Sequence, residues 1–194
     1  SIERWKDLLR IPSIGTDPAH RSDSRRAAAW LVDQLQALGF DAAARNTPGQ
    51  PIVVGHHPGP TGAAAPRVLY YGHYDVQPPD PLDLWDSAPF EPTIVQAAHG
   101  PRKVAGGAVS VKGQLMTWLE ALRAWHGVHG TLPLAVSVFI EGEEESGSPS
   151  LEPFLESHRD ELRADVCVVS DTNMWNIDTP ALATLLRGLL YTEI

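Results

Sequence analysis

One cysteine in 194 residues, Cys167, rules out an internal disulfide and with it a scaffold held together by cross-links. Cys167 lies in a run of β-formers and reads as a small core residue of a protein in a reducing cytoplasm. No apolar run approaches the roughly 20 residues that would cross a bilayer, and no secretory leader is legible from Ser1 onward. Basic residues are in deficit. With 15 Lys and Arg against 24 Asp and Glu, the formal charge is -9 and the pI about 5.3, so neither a nucleic acid nor an anionic membrane is expected as a partner. Internal repeats and low-complexity tracts are also missing. What remains, 43% hydrophobic and 20% charged residues, is enough for one globular domain with a real core.

Three apolar runs carry the chemistry at their C-terminal ends. Residues 68–71 (VLYY), bounded by Pro66 and Gly72, predict a buried strand. After it come His73 and Asp75, which project to one side of an extended segment. That pair suits either a metal-binding imidazole steadied by a carboxylate or a His-Asp acid/base couple. Residues 133–140 predict a second strand, leading into Glu141-Gly142-Glu143-Glu144-Glu145, and residues 165–170 a third, leading into Asp171. In a mostly parallel sheet the carboxyl ends of the strands share one edge. Three adjacent glutamates repel one another, and one or two divalent cations would relieve that cost.

The rest of the chain predicts a scaffold. A short helix is expected over residues 2–10. A longer one, capped by Ser22 or Asp23, carries the stripe Ala27, Leu31, Leu35, Leu38 and stops at Gly39-Phe40. Residues 41–46 and 51–55 read as a strand pair around Thr47-Pro48-Gly49, with His56 and His57 in the following loop. Residues 80–101, rich in proline, read as irregular, packed down by Trp85 and Phe90. Helices are expected over 111–125, with His126 and His129 at its glycine-flanked end, and over 149–158, with Ser148 as cap. Residues 180–194 end as a further strand without a loop or cap, so the sequence reads as part of a longer domain. The expected class is α/β, a three-layer sandwich on a mixed, largely parallel sheet.

Taken in order, residues 72–78 (GHYDVQP), Lys112-Gly113-Gln114, residues 141–148 (EGEEESGS), Ser170-Asp171 and Arg187-Gly188 resemble the two-zinc exopeptidases. That family includes carnosine-type dipeptidases, carboxypeptidase G, acetylornithine deacetylase and succinyl-diaminopimelate desuccinylase. The resemblance runs along the whole chain, and residues 75–81 (DVQPPDP) with Trp85 point to the dipeptidase branch. It implies that His73 and Asp171 bind one zinc and Glu145 the second, with Asp75 orienting His73 and Glu144 as general base. Manganese or cobalt would serve in place of zinc. It further implies a small peptide substrate, and a sheet cut short of the family's full domain would leave an apolar edge or face uncovered, favouring self-association or a homo-oligomer. Glu143 is expected on the solvated surface.

The chain also departs from the family. Where family members carry an arginine and two aspartates before the Lys-Gly pair, this sequence has Gly106, Ser110 and Val111. Ser110 replaces the aspartate that bridges both metals, and a neutral hydroxyl cannot supply that charge. The family's last histidine ligand and its lid domain have no counterpart within these residues. The sequence therefore predicts a metallodipeptidase scaffold holding zero or one ion, with negligible turnover. A non-catalytic binding relative is the alternative. A serine hydrolase using Ser110 is disfavoured, since no G-x-S-x-G elbow is present.

Overall fold

The central strands are nearly continuous apolar runs, so successive side chains on both faces of the sheet they form must be covered. A computed structural model describes residues 1–60, 66–96, 102–105, 111–176, 178–185, 188 and 192. Along the chain it contains α1 (Ile2–Leu9), α2 (Arg21–Gln36), β1 (Asp41–Arg45), β2 (Ile52–His57), β3 (Val68–His73), β4 (Thr93–Gln96) and β5 (Arg102–Ala105). These are followed by α3 (Lys112–His129), β6 (Val136–Glu141), α4 (Leu151–Ser157) and β7 (Val166–Val169). The main sheet has the order β1-β2-β6-β3-β7. β2 runs antiparallel to β1 and β6, whereas β3 is parallel to β6 and β7, so the sheet is mixed.

Three layers result. Val53 of β2, Tyr70 of β3 and Val138 and Ile140 of β6 face one way, onto Leu8 of α1, the Ala27-Leu31-Leu35 stripe of α2 and Leu115 and Leu119 of α3. Tyr70 stacks on Trp118 at 3.8 Å between ring centres. The alternate residues Ile52, Val54 and Phe139 face the other way, onto Phe154 of α4 and Leu162.

Several boundaries differ from the sequence reading for local reasons. α2 begins at Arg21, because Pro18–His20 forms a 3-10 turn whose Ala19 N donates to Asp17 Oδ1 at 2.8 Å. It ends as expected, with Gly39 at φ +83° and Phe40 N donating to Leu35 O. α3 extends past Trp125 to His129 before Gly130, at φ +72°, stops it. β2 includes His56 and His57, which are strand residues; His56 lies between Ser137 Oγ and Glu161 Oε1 at 3.0 and 3.1 Å, and His57 packs against Phe40. Within the stretch expected to be irregular, β4 and β5 form a separate antiparallel ladder.

Ser148 does not cap α4: its backbone is left-handed, at φ +52°, and its hydroxyl donates to Glu141. Cys167 is exposed, contrary to the core placement expected for it, because β7 is the outermost strand of the described sheet. Residues 178–185 form no strand beyond the single bridge residue Thr179; Arg187 and most of the expected last strand lie outside the described residues, as do Gly106 and Ser110. Among the described residues no helix is long and apolar enough to cross a membrane.

Candidate metal centre

The parallel register of β3, β6 and β7 brings the ends of three strands to one rim. His73, last in β3, pairs with Glu141, last in β6, and Tyr74 N donates to Glu141 O at 2.9 Å. β7 stops at Val169 and delivers Asp171 two residues later; on the way Ser170 Oγ bonds the Tyr70 hydroxyl at 2.6 Å. Glu144 and Glu145 lie in a 3-10 turn, Glu144–Ser146, directly after β6.

Asp75 organises this rim. It is fully buried, and its Oδ1 accepts from His73 Nδ1 at 3.0 Å and from Glu144 N at 3.2 Å. Its Oδ2 accepts from Glu145 N at 3.0 Å. One carboxylate thus fixes the imidazole tautomer and the backbone of the glutamate turn together. With Nδ1 engaged, His73 turns Nε2 outward, 3.7 Å from Glu144 Oε2 and 3.6 Å from Asp171 Oδ2. One donor atom from each of these three residues lies within 4.8 Å of the others. The imidazole is 1% exposed, whereas the Glu144 and Asp171 side chains are 39% and 40% exposed, so the cluster opens to solvent on its acidic side.

Glu145 points elsewhere, its Oε2 accepting from Gln77 Nε2 at 2.8 Å. Gln77 is the residue the sequence reading passed over; only its place in the residues 72–78 motif hints at it. Glu143 is not on the solvated surface as expected. It is 7% exposed and accepts from Gln50 N at 3.1 Å, because the turn directs three successive glutamates in three directions. Glu141 is also buried, held by the Tyr71 and Ser148 hydroxyls. Val111 is buried at the start of α3, as is Lys112.

The electrostatics follow from burial and like charge. Burial by itself would lower the pKa of His73, but the Asp75 hydrogen bond and charge, with Glu144 and Asp171, raise it above the ordinary value. Burial raises Glu144; His73 opposes that shift, while Glu145, Asp171 and Asp75 add to it. Among the described residues neither Glu144 nor Asp171 has a Lys or Arg partner. An outward imidazole nitrogen backed by a carboxylate, facing two carboxylates that lack a cation, is a donor set suited to one divalent ion.

The Peptidase family M20/M25/M40 model matches residues 69–183. The chain belongs to this family. It is 32% identical to the Cys-Gly metallodipeptidase of Candida albicans, an alignment covering all of this chain and 42% of that protein. It is also 32% identical to the human Beta-Ala-His dipeptidase, over 98% of this chain and 39% of the relative. Among solved structures, the M20 family metallo-carboxypeptidase Sso-CP2 of Sulfolobus solfataricus superposes with a TM-score of 0.77 and 30% identity, covering 89% of this chain and 37% of that one. The chain therefore spans about two fifths of the length of the relatives it matches.

Proposed function

We propose that this chain is the part of an M20 metallopeptidase that carries the first metal site, in a protein that hydrolyses the peptide bond of dipeptides or short peptides. The convergence of His73 Nε2, Glu144 and Asp171, with Asp75 on the far side of the imidazole, carries the reading. His73 and Asp171 would hold one zinc ion, with manganese or cobalt as substitutes. Glu145 would contribute to a second, and the family resemblance in its flanking residues supports that division. A bound ion of this kind supplies Lewis acidity to the scissile carbonyl and to the attacking water.

The protein's own part is proton handling and orientation. Glu144, raised by burial and half open to solvent, takes a proton from the water and returns it to the leaving amine. Asp75 holds the His73 Nδ1 proton, so that Nε2 remains a ligand. The acidic rim favours substrates that bring a positively charged amine. The proximity of Glu144 to His73 supports a second reading, in which Glu144 is a third ligand of the same ion. Free Cys167 fits a reducing cytoplasm.

Ser110, at the position where the family carries its bridging aspartate, leaves a second ion undersupplied with charge. We therefore expect the 194-residue chain to bind at most one ion per chain and to show negligible dipeptide hydrolysis. Metal analysis of the dialysed chain, with its intact mass, tests both statements. One ion lost in Asp171→Asn is the expected result; two tightly held zinc ions would overturn the incomplete-centre reading. Glu144→Gln separates the two roles, since a general base can be removed without loss of the ion and a ligand cannot.

A further inference from the structure

The segment linking α1 to α2 has no role in the chemistry above, yet it is laid directly against Asp75. Ser13, fully buried, donates its hydroxyl to Tyr74 O at 2.6 Å, and its own carbonyl accepts from Val76 N at 3.0 Å. Ile14 and Val76 form an isolated parallel bridge. These contacts hold the backbone on both sides of Asp75. The segment is itself anchored at its start, where the buried Lys112 ammonium donates to Ile11 O at 2.6 Å and Leu8 O at 3.3 Å.

Gly15 closes the arrangement. A Cβ there would lie 2.7 Å from Asp75 Oδ2 and 2.9 Å from both Asp75 Cβ and Gly142 O. Backbone and carboxylate therefore meet at a distance that only glycine allows. Asp75 Oδ2 is the atom that receives Glu145 N, and Oδ1 receives His73 Nδ1 and Glu144 N. Any displacement of Asp75 is passed to the imidazole and to both glutamates.

We propose that Ser13 and Gly15 are positioning residues for the metal centre: they fix Asp75, and through it the direction of His73 Nε2 and the placement of the Glu144–Glu145 turn. The consequence for metal affinity rests on the function proposed above. The orientation of the imidazole can be tested without an ion.

The test uses the 194-residue chain with Gly15→Ala and Ser13→Ala. Ring nitrogen and imino-proton NMR signals of His73 in the metal-free protein, identified by their loss in His73→Gln, report the Nδ1 hydrogen bond. Cobalt binding, followed by visible absorption, reports affinity. Gly15→Ala is expected to move the His73 signals and to weaken cobalt binding about tenfold, within the range for groups that orient a ligand. Ser13→Ala acts in the same direction by a smaller amount. Leu162→Ala, in the opposite layer, loses stability but keeps both readouts at wild-type values. Unchanged His73 signals in both variants would overturn the proposal, as would an equal change in Leu162→Ala. If Gly15→Ala does not fold, Ser13→Ala decides. If the wild-type chain binds no cobalt, the metal reading falls, and the His73 signals still decide whether the strap positions the ring.

Discussion

Asp75 accepts three hydrogen bonds where no solvent reaches, so neutralising it removes both a charge and a positional constraint. In Asp75→Asn the His73 pKa should fall, since the largest of the contributions that oppose burial is lost and only Glu144 and Asp171 still raise it. Cobalt affinity should fall about 10- to 100-fold. An NMR titration and a binding isotherm check the two. The sign of the pH effect follows from the same group. The folded chain holds the His73 proton more tightly than the unfolded chain, so this contribution to stability is complete below about 6.5 and fades as pH rises through the folded value. The stability difference between wild type and His73→Gln, both metal-free, should therefore shrink as pH rises past neutrality. Metal affinity should increase over the same range, because the ligand must lose its proton. Denaturant melts at several pH values would contradict this if the difference widened.

At the level of elements, α1 and α3 are joined at the surface by the Arg4–Glu120 ion pair and in the interior by the Lys112 ammonium. Burial pushes Lys112 down to about 7, with Asp75 opposing the shift, although its hydrogens still find Leu8 O and Ile11 O. A depressed lysine contributes stability that is present above its unfolded value of about 10.5 and is lost as pH falls toward 7. Wild type should thus gain stability between these limits relative to Lys112→Met, whose profile lacks that slope; parallel profiles would show that the ammonium is not desolvated. Element types were legible wherever the pattern was strong, as in the Leu31-Leu35 stripe of α2 or the continuous apolar run of β6. Turn chemistry was harder to read. Ser148-Pro149 looks like a helix cap, yet the Ser148 hydroxyl is taken by buried Glu141, a tertiary contact that no local signal announces.

For the whole molecule, β7 is the informative strand. Val166, Val168 and Val169 are 49%, 37% and 51% exposed on the outermost strand of the described sheet, so apolar side chains and unpaired backbone face solvent together. The isolated chain should self-associate in a concentration-dependent way. Val168→Lys should shift it toward monomer in sedimentation velocity, and an unshifted distribution would place the association elsewhere. The exposure also explains Cys167: composition marks a small β-strand residue as interior, but interior depends on what packs outside the strand.

The sequence by itself determined which residue types meet at the rim. Each strand leads into an imidazole or carboxylate at or just after its end, and parallel strands share a carboxyl edge, so His73, Asp75, the glutamates and Asp171 could be grouped from order and spacing alone. Only the tertiary structure decided their division. Glu143 turns inward to Gln50, Glu144 toward His73 and Glu145 onto Gln77, because Asp75 grips the turn by its backbone amides and Ser13 and Gly15 hold Asp75. Direction in a tight turn is set by contacts from sequence-distant chain, and pattern along one strand does not contain them.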